Sequence, residues 1–231
     1  NLPPLSGLRP SLELGTEILS ECLTKIAGLD PVNLIGYSAG GAFALNLALR
    51  QPEKIRKLVL VASAGLGSEI YRGFCWMTLP VIGDILAQLR IRPTEKSVEK
   101  FLKILFHDPE KIPKNLAEKI LKQRLEWGFE EWRKWYLKTL HQGVGWKGQK
   151  INFLEKIPEL KIPTLVIGGK NDRIIPSTQM QNVLNMSYKA WLLDPSKTLV
   201  RYFPFENCGH WPQMEKSEEF NQIVSQFLFA R

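Results

Sequence analysis

The sequence predicts an α/β fold: a mostly parallel sheet with flanking helices, plus an inserted all-helical segment. Three observations predict it. Short apolar runs rich in β-branched residues, Val32–Tyr37, Lys57–Ala62 and Ile162–Gly169, have the composition of strands buried on both faces. Strong helix formers fill the first interval between them, which is the pattern of a parallel βαβ unit. The pattern then changes: residues 65–157 are helical in character and rich in Lys, Glu and Trp, whereas 31–64 and 162–231 alternate strand and helix. This divides the chain into 1–64, the first part of the core; 65–157, a helical cap; and 158–231, the second part of the core.

Leu12 to Gly28 carries the spacing of a helix, and Asp30-Pro31 breaks it before the strand Val-Asn-Leu-Ile-Gly-Tyr. Ser38 follows on a tight turn, flanked by Gly36 and Gly40. Bulkier side chains two residues either side of the serine are expected to collide there. Ala42–Arg50 continues as a helix until Gln51-Pro52 forbids it. The right-handed crossover then places the turn at the carboxyl edge of the sheet. A dinucleotide-binding fingerprint is the rival reading of these glycines, and it fails because Ser38 stands where its second glycine belongs.

A serine hydroxyl needs a base within hydrogen-bond reach and a carboxylate to orient that base. His107 and His141 sit at predicted helix ends, where the dipole explains them, although either could face a ligand from the cap. His210 differs. It lies in Asn-Cys-Gly-His-Trp-Pro, between the strand-like Thr198–Pro204 and the last helix, on the edge that carries Ser38. Ile162–Pro176 reads as a buried strand running into a turn, with Asp172 likewise at the strand's carboxyl end; its structural alternative is a helix cap or turn brace. Asp194, in a surface turn, and Glu69, soon after the second strand, are weaker acids.

The order Ser38, Asp172, His210 and the motifs GYSAGG, IPTLVIGGKNDRIIP and NCGHWPQMEKSEEF resemble the α/β-hydrolase superfamily, in its serine branch with a helical cap. The resemblance covers nearly the whole chain. It implies Ser38 as nucleophile, Asp172 as orienting acid, His210 as general base and the Ala39 backbone N–H as an oxyanion donor. It also implies four strands and a His-Gly oxyanion loop upstream of residue 1, so the sequence is read as a piece of a longer protein with one edge of its first strand unpaired. Serine at the turn favours an acyl-enzyme route over epoxide or halide chemistry, where relatives carry aspartate.

The leading expectation is a serine hydrolase of small, largely apolar esters. The alternatives are a hydrolase of carbon–carbon bonds in vinylogous diketones and a non-catalytic binder of small molecules. Tyr37, Trp76, Trp132, Trp135 and Trp211 are the candidate substrate contacts, with packing of the cap as the plainer account of the tryptophans. The net charge of +8 is spread over helix faces such as Lys96, Lys100 and Lys103, interleaved with glutamates, so no nucleic-acid partner is expected. No apolar run is long enough for membrane insertion. Cys22, Cys75 and Cys208 form no metal or redox pattern. With no leader in view, a cytoplasmic setting, no cofactor and no metal are expected; nothing in the sequence specifies an oligomeric state.

Overall fold

The computed structural model describes residues 9–197 and 200–229. Four parallel strands form the main sheet in the order β1 (Val32–Tyr37), β2 (Ile55–Val61), β5 (Thr164–Gly169) and β6 (Arg201–Phe205). The strand expected from Thr198 begins at Arg201, and Thr198 and Leu199 lie outside the described residues. Among the described residues β1 has a neighbour on one side only, and Ile35 near its middle is 47% exposed.

The centre of the sheet is buried on both faces because alternate side chains serve two clusters. Leu58 and Leu60 of β2 point into the larger one with Leu45, Leu47, Met180 and Val183. Val59 and Val61 point into the other with Leu165, Ile167, Phe205, Phe220 and Phe227. These faces are covered by α2 (Ala39–Arg50) and α8 (Ser177–Leu193) on one side and by α10 (Ser217–Phe229) on the other. This is why β2 and β5 show unbroken apolar runs rather than alternation.

Helix α1 (Leu12–Ala27) is capped by Ser11, whose hydroxyl accepts from Leu14 N–H, and it ends at Gly28 with a positive φ of 63°. It is tied to α2 by polar contacts: Asn46 donates to Thr16 at 2.9 Å, and Ser20 donates to Gln51 at 2.8 Å.

Between β2 and β5 run α3 (Arg72–Met77), α4 (Ile82–Arg90), α5 (Glu95–Leu105), α6 (Leu116–Glu126) and α7 (Phe129–Gly143). The segment is not wholly helical. After α7, β3 (Val144–Gly145) and β4 (Gly148–Gln149) form a two-residue antiparallel pair. Gln149 N–H then donates to Ser68 O, which fastens the end of the insertion to its beginning. Helices α9 (Pro212–Glu215) and α10 close the chain. No helix among the described residues is long and apolar enough to cross a membrane.

Candidate active site

Every strand of the main sheet delivers its carboxyl end to one edge, and three chemically able side chains converge there. Ser38 follows β1 with φ 51° and ψ −122°, a region that L-residues avoid and that lifts its hydroxyl out of regular structure. Its backbone is held on both sides: Ser38 N–H donates to Val61 O, and Ser38 O accepts from Gly41 and Ala64 N–H.

The glycines around this turn do not share one role. A Cβ on Gly36 would stand 2.7 Å from Gly41 Cα, and one on Gly41 would stand 2.7 Å from Ser63 Cβ. Gly40, expected from the motif to be crowded as Gly36 is, would place its Cβ in open space. The tight approach is made one residue later, where the first turn of α2 crosses the end of β2.

Asp172 is 8% exposed and His210 2%. Asp172 Oδ1 accepts from Ile174 and Ile175 N–H at 2.7 and 3.0 Å, leaving Oδ2 for His210 Nδ1 at 2.7 Å. A carboxylate only accepts, so the proton lies on Nδ1 and Nε2 is left as acceptor. Ser38 Oγ is 3.0 Å from that nitrogen, where its hydroxyl donates. The arrangement can draw a proton from Ser38 onto His210 and stabilise the resulting cation. Ala39 is the first residue of α2 and follows Ser38 directly, so its N–H has no intrahelical acceptor; the residue itself is exposed.

The site opens into an apolar cavity of about 880 Å³ between the sheet edge, α1 and the insertion. Tyr37, Trp135 and Trp211 line it with Ser38, Ala39 and His210. Tyr37 packs on His210 at 5.3 Å and on Trp211 at 6.3 Å, and burial followed by the charge of Asp172 pushes its phenol well above the usual range. Trp132 stands away from this cavity, stacked on Tyr136 in the insertion. Trp76 does not line this cavity either: Phe74, Cys75 and Met77 take the inner face of α3, so Trp76 is left half exposed under Arg90.

Of the other candidates, His107 and His141 also lie off the cavity lining. Asp194 is exposed and bonded to Ser196, and Glu69 is exposed on the surface near Thr178. Cys22 is exposed, and burial then Glu215 push the Cys208 thiol up to about 12. No group of three His, Cys, Asp or Glu side chains among the described residues could hold a metal ion.

Two site residues were not apparent from the sequence. Arg124 on α6 reaches the cavity of Ser38 without an ion-pair partner among the described residues. It stacks 4.2 Å over Trp132, and burial pulls its pKa down. Tyr136 beside it is pushed up to about 12 by burial, against the pull of Arg124. Glu215, 5% exposed, accepts from Gly209 N–H at 2.7 Å and from His107 and Asp108 N–H at 2.9 and 3.2 Å. With His210 N–H donating to Leu105 O at 2.7 Å, it stitches the histidine loop to the end of α5. The one sequence signal for Glu215 is a carboxylate set among Trp211, Pro212 and Met214.

A family model of the alpha/beta hydrolase fold matches residues 17–217. The chain belongs to that family. Its curated relatives include a 2-hydroxy-6-oxononadienedioate/2-hydroxy-6-oxononatrienedioate hydrolase of Pseudomonas sp, 29% identical over 202 residues. Another is a 2-hydroxy-6-oxo-6-phenylhexa-2,4-dienoate hydrolase of Comamonas testosteroni, 28% identical over 211 residues. The matches cover 87% and 90% of this chain but 64% and 66% of those proteins, just under two thirds of their length. Among solved structures, a meta-cleavage product hydrolase from Pseudomonas fluorescens IP01 superposes with a TM-score of 0.75 at 20% identity, covering 99% of this chain and 74% of the other. A thermophilic esterase superposes with a TM-score of 0.62 at 25% identity, covering 95% and 73%. The likeness to the two solved structures is one of fold.

Proposed function

We propose that this protein is a serine hydrolase that cleaves the carbon–carbon bond beside the ketone of a 2-hydroxy-6-oxo-2,4-dienoate. Residues 65–157 act as the lid over core segments 1–64 and 158–231. The observation that carries the choice is Arg124, a guanidinium without an ion-pair partner among the described residues, in a largely apolar cavity that Ser38 and His210 also line. A neutral ester has no use for it, whereas a dienoate brings a carboxylate that matches it. The names of the relatives point the same way.

The chemistry follows from where electrons can go. A bond to a ketone carbon breaks readily only if the departing carbon can delocalise its electron pair. Moving the enol proton of the dienoate to the carbon next to the ketone creates that situation, since the pair then flows back into the α-keto acid. Ser38 Oγ attacks the ketone as His210 Nε2 takes its proton, with Asp172 balancing the imidazolium and Ala39 N–H facing the oxyanion. Collapse expels a hydroxydienoate, protonated by His210, and leaves the acyl group on Ser38. Water activated by His210 then releases the acid. The net reaction consumes one water and needs no cofactor.

Ester hydrolysis is the second reading, favoured by the apolar cavity itself. Turnover of 2-hydroxy-6-oxo-6-phenylhexa-2,4-dienoate and of p-nitrophenyl butyrate separates the two. The dienoate is expected to be preferred in kcat/KM, and Ser38→Ala to abolish its cleavage. Arg124→Leu should cost about 10- to 100-fold in kcat/KM on the dienoate, the worth of one charge-assisted hydrogen bond, and less on the ester. Efficient ester cleavage without dienoate turnover would overturn the proposal.

A further inference from the structure

A second cavity of about 540 Å³ lies within the helical insertion and shares Phe74, Phe101, Arg124 and Tyr136 with the cavity of Ser38. The two differ in charge. Among the described residues Arg124 is the one Lys or Arg side chain lining the first, whereas Arg90, Arg92, Lys96, Lys100 and Arg124 line the second without a carboxylate. None of the five is in an ion pair among the described residues. The sequence spreads Lys96 and Lys100 among glutamates along α5, but the helix sorts them: these lysines line the cavity, and Glu95 and Glu99 do not. Thr94 and Ser97 aside, the rest of the lining is apolar or aromatic, Phe101, Ile104 and Trp132 among it.

Five cations around one concavity repel each other, and low-dielectric walls focus their field. An anion relieves that repulsion, and an apolar body on the anion gains from the aromatic walls. We propose that this cavity receives small amphiphilic carboxylates, aryl or alkenyl acids. Arg92, Lys96 and Lys100 hold the anionic end, and Phe101, Ile104 and Trp132 hold the apolar part. The site shares a wall with the cavity of Ser38 and goes beyond the proposed reaction, which requires Arg124 alone among these cations. Its role is to gather acids beside the catalytic cavity, and such focusing raises local ligand concentration by roughly 10- to 1,000-fold.

The probe is sorbate, a hexadienoate, with its uncharged amide as control, both titrated calorimetrically. Sorbate is expected to bind the wild-type protein at low salt, and R92Q/K96Q/K100Q to weaken it about tenfold or more. Raising salt to about 0.5 M, where screening acts within a few ångströms, should remove most of the difference. The amide should be insensitive to both changes. All three side chains are exposed, and K96Q and K100Q singly should each show part of the loss. Equal sorbate affinity in wild type and triple variant at low salt, or no sorbate binding, would overturn the site. This outcome is separable from the fate of the proposed reaction. A protein that cleaves the dienoate yet ignores the triple change refutes the cavity alone. One inert toward the dienoate whose sorbate affinity collapses in the variant refutes the reaction alone.

Discussion

Replacing Glu215 by glutamine tests whether the histidine loop is held by a carboxylate or merely packed. Its two oxygens are committed in opposite directions, Oε1 to Gly209 N–H and Oε2 to His107 and Asp108 N–H. Glutamine keeps one oxygen and turns the other position into a donor. If the amide keeps its oxygen toward His107, the Gly209 N–H faces an NH2 group; if it flips, His107 and Asp108 do. Either way at least one buried N–H loses its acceptor, which costs about 1–3 kcal/mol. For a domain of this size that corresponds to a Tm lower by about 2–12 °C. Gly209 has no room to shift, because even a Cβ there would stand 2.7 Å from His107 N. The strain therefore passes to His210, whose backbone N–H is fixed to Leu105 O, so kcat should fall more than KM rises. Thermal unfolding followed by circular dichroism, together with dienoate kinetics, measures both effects. A Glu215→Gln protein with wild-type Tm and kcat would refute the reasoning.

Around the serine turn, Gly41→Ala should destabilise the fold by about 1–3 kcal/mol through overpacking against Ser63. Gly40→Ala, with open space at its Cβ, should be tolerated in denaturant midpoints; equal losses at both positions would contradict this. Stability should also fall in alkali. The Cys208 thiol is held near 12 when folded and near its ordinary value when unfolded, so above about pH 9 the unfolded chain loses a proton that the folded chain keeps. Folding free energy then declines as pH rises from about 9 toward 12, and Cys208→Ala should flatten its first part, below the range where Tyr136 begins to contribute. Denaturant midpoints at a series of pH values would show it, and an unchanged slope in the variant would count against it.

The three converging residues were legible in the sequence because a parallel sheet does the assembling. Ser38, Asp172 and His210 each follow a strand, and parallel strands present their carboxyl ends together whatever the loops contain. Residues on the insertion were less legible. Trp132, Trp135 and Tyr136 are spaced to share one side of α7, yet the structure gives the two tryptophans to different cavities, because the wall between the cavities runs along that side at Tyr136. Arg124 lies among Lys119, Lys122 and Glu126 on α6, and nothing local marks it as the cation that turns inward. Gly40 and Gly41 are adjacent and chemically identical, and only the crossing of β2 under α2 decides which one must lack a side chain.

By itself, then, the sequence determined the strand order along the chain, the turn that strains Ser38 and the edge on which its partners gather. These depend on periodicity and on contacts close in sequence. The tertiary structure alone decided which charges face inward. It paired Asp172 with His210 at 2.7 Å, set Glu215 between two loops more than 100 residues apart, and brought Arg124, without an ion-pair partner among the described residues, to the cavity that Ser38 lines. A charge is kept or paired according to what the rest of the chain brings within a few ångströms of it, and no local pattern encodes that distance.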